Sequence, residues 1–401
     1  MRTSWGRRLV TAVTALGLTS AGLLGATPAQ AAVGDCPKGY FCAWQTDNAT
    51  GTMFKTDKSV ATLGSWDNKI RTIVNRTSQY ACLHSDANYA DSSLVVAPDP
   101  AAANWGGPGT NSLSSVKLVP TARECSLPAY PEWSSTQAMY AADFGDMNGD
   151  QRADVVVRDQ AGRLWFLPGD LTGRMIGSAG WNGMSALTRH GDFSRDGRED
   201  VIAAEASTGK LWLYPGTGTG ALGARTLIGS GGWNGMAQIT AFGDLTRDGR
   251  SDLVAIEKST GKLWLYPGTA SGGLGARKLI GSGGWNGMND LVGAGDMNGD
   301  SHADLLAREA STGKLWFYPG GPGYIGARKL VGSGWNTMRY VIGVGDFSGR
   351  GPGLAAVATP SYTGPNCWSG ACVVKYAANG MGGVYPGEPQ PWDWSDLNGA
   401  F

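Results

Sequence analysis

Histidine is scarce in this chain of 401 residues, with only His84, His190 and His302. None of the three lies in an HExxH motif, and no GxSxG segment occurs, so two common hydrolase signatures are missing. Charged residues make up 16% of the chain, and runs of helix-forming residues are few. These shortages disfavour a helical protein and an enzyme of either hydrolase type, and we expect a protein without catalytic residues.

The first 31 residues predict a secretory signal peptide. They combine Arg2, Arg7 and Arg8 with an apolar run and end in a small-x-small pattern at Ala29–Ala31. We therefore expect a secreted, extracellular protein, and no later segment is long and apolar enough to predict membrane insertion. Without the signal peptide, 30 basic residues face 33 acidic ones. This balance argues against nucleic acid as a partner.

Six cysteines remain after the signal peptide, an even number for an oxidising compartment. Pairing cysteines that are close in sequence leaves none unpaired and therefore none as a candidate nucleophile. The sequence alone leaves the connectivity open. The expected disulfides are Cys36–Cys42, Cys82–Cys125 and Cys367–Cys372.

Glycine and tryptophan are abundant, at 63 and 16 residues, and this composition favours short strands joined by tight turns. Three sequence markers recur with a common period. An aspartate after glycine recurs at 146, 192, 244, 296 and 346, a tryptophan at 133, 181, 233, 285 and 335, and a Leu-Trp step has its tryptophan at 165, 212, 264 and 316. Such a period indicates a tandem repeat.

One repeat unit, residues 233–284, shows four short alternating segments, which is the content of one propeller blade. Five such units follow a linker at 127–132, so residues 133–401 predict a five-bladed β-propeller. We expect a C-terminal strand to close the ring on the first blade, because closure removes exposed sheet edges.

The start of each unit carries an acidic loop, such as DMNGDSHAD at 296–304. Four loops place oxygen-bearing side chains at positions 1, 3, 5 and 9, and a backbone carbonyl at position 7 completes the set. Calcium takes six to eight oxygens at about 2.3–2.6 Å, so the loops predict about four calcium ions. The candidate ligands are Asp146, Asn148, Asp150, Arg152, Asp154; Asp192, Ser194, Asp196, Arg198, Asp200; Asp244, Thr246, Asp248, Arg250, Asp252; and Asp296, Asn298, Asp300, His302, Asp304.

Two observations bear on the prediction that the acidic loops bind calcium. Polar turns without a metal are the alternative, since Asp, Asn and Gly favour turns by themselves. The fifth loop is degenerate, because Arg350 and Leu354 replace the acidic residues at positions 5 and 9. Four loops in the same register favour calcium over the simple turn.

The segments DMNGDQRADVVV and DLTRDGRSDLVAI resemble FG-GAP (or VCBS) repeats of integrin-type propellers. The segments GSGGWNGM and LWLYPG are weakly similar to blades of tachylectin-type lectins, and that resemblance implies amino-sugar binding between blades. Trp212, Trp264 and Trp316 are expected to pack between blades. The tryptophans flanked by glycine are expected to be partly exposed and are the candidate ligand-binding residues: Trp181, Trp233, Trp285 and Trp335.

Residues 32–126 lack the long period but contain two similar halves, which suggest paired Greek keys. The opening CPKGYFCAW resembles the start of the βγ-crystallin-like peptidase inhibitors of family thirty-six, through Cys36, Tyr40, Phe41, Cys42 and Trp44. This resemblance implies a secreted protease, such as a metalloproteinase, as partner. The second local disulfide that closes the family's reactive loop has no counterpart, so no reactive bond is carried over.

The fold class predicted is therefore all-β, with a βγ-crystallin-like Greek-key domain followed by a five-bladed β-propeller. The function predicted is a secreted, non-enzymatic binding protein: an inhibitor-like domain on a calcium-stabilised propeller that binds a cell-surface protein or glycan. The alternatives are a calcium-dependent lectin or adhesin without inhibitory activity, and a carbohydrate-active enzyme, which would need a pair of carboxylates.

Overall fold

The computed structural model describes residues 33–90, 93–98, 110–125, 130–137, 144–365, 367 and 371–401. The predicted signal peptide, 1–31, lies outside these residues, as does 127–129 of the predicted linker. The regular elements described are β-strands and short 3-10 turns, which confirms the all-β class. No helix in these ranges has the length and apolar character needed to cross a lipid bilayer.

The N-terminal domain consists of two three-stranded antiparallel sheets. Its strands are β1 (Phe41–Trp44), β2 (Met53–Thr56), β3 (Thr72–Asn75), β4 (Tyr80–His84), β5 (Ser93–Val96) and β6 (Ser115–Val119). The sheet orders are β2-β1-β3 and β5-β4-β6, so the first strand of each half is central. A bridge between Val60 and Val116 connects the two halves. This internal similarity agrees with the two related halves read from the sequence.

Apolar side chains from both sheets form the core of this domain, including the buried Phe41, Ile73, Leu83 and Val116. Two disulfides, Cys36–Cys42 and Cys82–Cys125, lie in this domain, and the third, Cys367–Cys372, lies in the C-terminal region. The expected pairing is confirmed.

The remaining strands follow one another in a regular order. They are β7 (Val155–Asp159), β8 (Leu164–Leu167), β9 (Arg174–Gly177), β10 (Met184–Arg189), β11 (Val201–Glu205), β12 (Leu211–Tyr214), β13 (Thr226–Gly229), β14 (Met236–Gly243), β15 (Asp252–Glu257), β16 (Leu263–Tyr266), β17 (Lys278–Gly281), β18 (Met288–Gly295), β19 (Asp304–Glu309), β20 (Leu315–Tyr318), β21 (Gly320–Gly321), β22 (Tyr324–Ile325), β23 (Lys329–Gly332), β24 (Met338–Gly345), β25 (Gly353–Ala358), β26 (Cys372–Ala377), β27 (Glu388–Asp393) and β28 (Leu397–Ala400).

The described residues of this region form five four-stranded antiparallel sheets, which we number as blades one to five. Blade one is β28-β7-β8-β9, and blades two to five are β10-β11-β12-β13, β14-β15-β16-β17, β18-β19-β20-β23 and β24-β25-β26-β27. The C-terminal strand β28 pairs with β7, which is the expected closing strand. Arg189 at the end of β10 donates to the carbonyl of Phe401 over 2.9 Å, so the chain end contacts blade two as well.

The first strand of every sheet lines a central channel, with a cavity of about 370 Å³. Between neighbouring sheets lie five apolar clusters. Each cluster takes its side chains from two blades, so no blade can bury its apolar surface alone. In blades two to five the acidic loop joins the first and second strands, and in blade one it precedes β7. The loops of blades two to four line one end of this channel.

Candidate metal centres on the propeller

Each acidic loop is folded around the carboxylate of its first aspartate. In blade two, Asp192 accepts the backbone N–H groups of Asp196 over 3.1 Å and of Gly197 over 2.7 Å. Arg195 and Gly197 take positive φ angles of 66° and 83°, which lets the backbone wrap round the carboxylate. The loop is therefore a compact turn whose first carboxylate faces inward.

The aspartate at position 9 attaches the loop to its blade. Asp200 is fully buried and accepts the N–H of Ser194 over 2.6 Å and that of Gly216 over 2.9 Å. Asp252 and Asp304 hold the corresponding glycines of their blades in the same way. Burial raises the pKa of the Asp200 carboxyl to about 6, because desolvation disfavours the charged form.

Three carboxylates converge in the loop of blade two. Ligand atoms of Asp192, Asp196 and Asp200 all lie within 4.8 Å of one another, and no other group of acidic, histidine or cysteine residues in the described ranges reaches this proximity. Oxygen-only ligands at this separation match the preference of a hard divalent cation. This loop is the most compact of the predicted calcium sites.

In all four loops the aspartate at position 5 contacts a neighbour from its own loop, and in blade two Asp196 lies 3.6 Å from the guanidinium of Arg198. Asp150 accepts the side-chain amide of Asn148 over 3.1 Å. Asp248 pairs with Arg250 at 2.7 Å. Asp300 accepts the side-chain amide of Asn298 over 2.9 Å and lies 3.1 Å from the ring nitrogen Nδ1 of His302. These contacts hold each position-5 carboxylate against its own loop.

The predicted ligands at positions 3 and 7 also lie in their loops. Ser194 and Thr246 direct their hydroxyl groups toward the aspartates at position 1, over 3.4 Å. At position 7 the backbone N–H of Arg198 donates to Asp196, while the guanidinium of Arg152 donates to the carbonyl of Ser135. Among the described residues, only the loop of blade two brings three predicted carboxylate ligands within 4.8 Å of one another, and calcium binding by the other three loops stays a prediction.

One carboxylate oxygen lacks any partner. Asp154 is fully buried; its Oδ2 accepts the N–H of Met147 over 2.7 Å, and its Oδ1 is buried without a hydrogen bond. Burial raises the pKa of Asp154 to about 8, although the nearby guanidinium of Arg189 acts in the opposite direction. An unpartnered buried oxygen costs free energy, and a cation would supply the missing partner.

The degenerate fifth loop shows which residues are required to form the loop turn without the additional acidic residues. Asp346 accepts four backbone N–H groups, at 3.0 Å from Ser348, 2.7 Å from Gly349, 3.2 Å from Arg350 and 3.1 Å from Gly351. The same turn therefore forms around a single carboxylate. The additional acidic residues of the other four loops are not required for the turn, and this favours a role in binding.

The tryptophans proposed as ligand-binding residues are buried, so their expected partial exposure is wrong. Their exposed fractions are 9% for Trp181, 7% for Trp233, 8% for Trp285 and 6% for Trp335. Each packs against a tyrosine of the following blade, with ring centroids 4.7–4.8 Å apart. The preceding glycine has a positive φ and starts a 3-10 turn that directs the indole between blades.

The tryptophans expected between blades are half-buried, with an arginine guanidinium 3.9–4.0 Å from each ring centroid: Trp212, Trp264 and Trp316. Trp212 and Trp316 pack against apolar clusters between blades, as expected. The glycine-flanked set is the more deeply buried of the two, which is the reverse of the expectation. Periodicity could not separate them, because both sets recur with the same spacing.

Comparison with protein families matches two parts of the chain. The profile of peptidase inhibitor family I36 matches residues 29–96, and the profile of the FG-GAP-like repeat matches residues 192–255 and 244–307. A search of curated proteins gave no match.

Solved structures give only distant similarity. An Agrocybe aegerita lectin, described as recognising non-reducing terminal N-acetylglucosamine, is 16% identical, with 61% of this chain and 64% of that chain covered and a TM-score of 0.36. A luciferin-regenerating enzyme is 10% identical, with 65% and 78% covered and a TM-score of 0.37. The Photorhabdus luminescens Tc holotoxin pore is 14% identical, with 82% and 14% covered and a TM-score of 0.32.

This chain spans less than two thirds of the lectin chain and a small part of the holotoxin chain. Similarities at these scores carry no argument about function. The chain therefore combines a peptidase inhibitor I36 domain over residues 29–96 with FG-GAP-like repeats over residues 192–307, in agreement with the two resemblances identified in its sequence.

Proposed function

We propose that this chain is a secreted binding protein in which an inhibitor-type domain, residues 32–126, is carried on a calcium-stabilised propeller that binds a protein or glycan. The observation that carries the proposal is the I36 match at residues 29–96. The compact two-sheet domain with its two disulfides supports it. A binding role rather than a catalytic one is supported by the inhibitor and repeat types of the matched domains.

Calcium is proposed for the acidic loops because the residues present fit a hard cation. The convergent carboxylates of Asp192, Asp196 and Asp200 and the unpartnered oxygen of Asp154 support this assignment. Calcium would supply positive charge that favours the ionised form of these desolvated carboxylates. The chain's own contribution is to hold the oxygens in position through backbone N–H groups and to attach each loop to its blade through the aspartate at position 9.

The inhibitory role is tested by titrating the full secreted chain against a panel of metallo- and serine proteases. We expect stoichiometric inhibition of at least one protease. A variant with Cys36 and Cys42 both changed to serine is expected to lose this inhibition, because the disulfide holds the start of the domain against its core. Absence of inhibition across the panel would contradict the inhibitory role and leave the domain as a scaffold.

The calcium proposal has a separate test in thermal unfolding with and without a chelator. An ion that binds only the folded state at 100 times its Kd stabilises by about 2.7 kcal/mol per site, so chelation is expected to lower the Tm. Asp196→Asn is expected to reduce this calcium-dependent shift, while Ser348→Ala in the degenerate fifth loop leaves it unchanged. An identical Tm with calcium and with chelator would refute the proposal.

A further inference from the structure

The N-terminal domain contacts blade one through an acidic side chain. Glu124 belongs to the 3-10 turn Ala122–Cys125, which the Cys82–Cys125 disulfide fixes to its domain. Its carboxylate receives both terminal nitrogens of the Arg163 guanidinium, over 2.8 and 3.0 Å. Arg163 also donates to Asp159 over 2.6 Å, so one base serves two carboxylates. Both charged partners are largely buried, which makes this a well-defined docking contact.

The contact adjoins a tryptophan on strand β8. The Arg163 guanidinium lies 5.3 Å from the ring centroid of Trp165, whose indole N–H donates to Asp159 over 2.9 Å. Acid, base and tryptophan therefore form one group at the outer part of blade one. We call this arrangement the acid–base–tryptophan group.

Blades two, three and four contain the same group at equivalent strand positions. Trp212 pairs across the sheet with Ala203 as Trp165 does with Val157, and the other two tryptophans follow the same register. The three repeated groups are Glu205, Lys210 and Trp212; Glu257, Lys262 and Trp264; and Glu309, Lys314 and Trp316. In blade three the indole N–H again approaches the acid, at 3.4 Å from Glu257.

These three copies differ from blade one in their charge balance. Each has a second base, Arg225, Arg277 or Arg328, which is exposed and lies 3.9–4.0 Å from its tryptophan ring, where blade one has Gly173. Two bases therefore face one acid. In blades two and three the arginine lies 4.0 and 3.1 Å from the acid of its own group, while none of the three lysines forms an ion pair with a residue of the described ranges. A further carboxylate would therefore pair with the remaining base, as Glu124 pairs with Arg163 in blade one.

An exposed apolar side chain adjoins each copy. Leu227, Leu279 and Leu330 pair directly with the three tryptophans across the outer edge of the sheet, and their exposed fractions are 44%, 45% and 54%. Apolar side chains beside a cationic group provide contact area for a polypeptide segment as well as a site for its charge.

Blade five lacks the group altogether. Ala358, Cys372 and Val374 occupy the positions of the acid, the base and the tryptophan, as the strand register shows. The surface is therefore restricted to the middle three blades, and the fifth blade serves as an internal comparison.

We propose that the acid–base–tryptophan groups of blades two to four each bind an acidic side chain of a protein partner, in the way that blade one binds Glu124. This inference deepens the proposed binding role of the propeller and rests on it. The partner chemistry is a polypeptide bearing aspartate or glutamate beside apolar residues, since the one occupied copy holds a glutamate of a folded domain. Three copies on one rigid ring would give avidity for a partner with repeated acidic segments.

The test measures binding of a fluorescein-labelled oligo-glutamate peptide to the full chain at low ionic strength, with oligo-glutamine as the uncharged comparison. We expect the oligo-glutamate to bind and the triple variant R225Q/R277Q/R328Q to weaken it about tenfold. The charge-matched variant K38Q/K58Q/K69Q, which changes three exposed lysines of the N-terminal domain, is expected to leave affinity within about twofold. Equal weakening by both variants would overturn the proposal, because it would show only a net-charge effect.

Two further measurements remove the remaining ambiguities. The lysine variant K210Q/K262Q/K314Q provides a second change at the same groups if the arginine variant fails to fold, which its Tm in calcium reports. A sulfated polysaccharide is titrated in parallel; binding of this probe without binding of oligo-glutamate would overturn the assignment of a protein partner. Absence of oligo-glutamate binding by the parent chain, with protease inhibition and the calcium response both observed, would refute this inference alone and leave the proposed function standing.

Discussion

The burial of the glycine-flanked tryptophans predicts the effect of a single added methyl group. A β-carbon at Gly281 would lie 2.1 Å from the indole nitrogen of Trp285 and 2.9 Å from the β-carbon of Leu263. Trp285 cannot move aside freely, because its ring packs 4.8 Å from that of Tyr318 between blades three and four. Gly281→Ala is therefore expected to cost about 1–3 kcal/mol by overpacking.

A nearby glycine gives the matched control for this substitution. A β-carbon at Gly283 would meet no atom within 4 Å, and its φ is not positive. Gly283→Ala is therefore expected to leave stability unchanged or to raise it by about 0.4–1 kcal/mol. Urea denaturation of the full chain with calcium present measures both variants, and the difference between them isolates the contact with Trp285.

A double-mutant cycle identifies the indole as the cause. Trp285→Leu alone should destabilise by about 2–4 kcal/mol through the cavity that it leaves. The double variant G281A/W285L should cost less than the sum of the single changes, because the added methyl group then occupies vacated space. Equal stabilities for G281A and G283A, with W285L unchanged from the parent, would refute the packing role and return this tryptophan to the list of ligand-binding candidates.

Two other predictions concern contacts between distant parts of the chain. Lys375 is buried among the rings of Trp133, Phe347 and Trp392, and burial lowers its pKa to about 8. Between pH 8 and 10.5 the unfolded chain binds a proton at this lysine that the folded chain does not, so the free energy of unfolding of the parent should rise by up to about 3 kcal/mol over this range. Lys375→Met should lack this rise in urea denaturation at a series of pH values. Parallel pH profiles for parent and variant would contradict the lowered pKa of Lys375. Arg123→Gln removes hydrogen bonds of 2.7–3.1 Å to the Asp396 carboxylate. Because this weakens the contact between the two domains, calorimetry is expected to show two separate unfolding transitions. A single unchanged transition would show that this contact is dispensable.

The environment of Lys375 could not be predicted from the repeat pattern. In blades one to four the equivalent position of the third strand carries a buried apolar residue, such as Phe166 or Phe317. The sequence marks the fifth unit as degenerate but does not reveal that its lysine would enter an aromatic enclosure. That enclosure includes Trp133 and Trp392, which lie near opposite ends of the propeller sequence but have ring centroids only 6.3 Å apart.

Local chemistry in the sequence determined much of this protein. Alternating apolar residues, turn-forming glycine and aspartate, and a recurring spacing act over a few residues, and they predicted the strand order within each unit and the acidic loops. The removal of exposed sheet edges by closure predicted the closing strand, and pairing an even number of cysteines by proximity predicted the disulfides. These features depend on the backbone near each residue, which the sequence specifies directly.

Only the tertiary structure decided which surfaces the repeated side chains face. Two tryptophan sets with one period differ in their packing because a positive-φ glycine turns Trp285 between blades, while Trp264 lies on the third strand of its blade beside Arg277. The contact of Glu124 with Arg163 likewise joins residues of separate domains. Such arrangements arise from packing between blades and domains, where the neighbours are distant in sequence and their orientation is fixed by the closed ring as a whole.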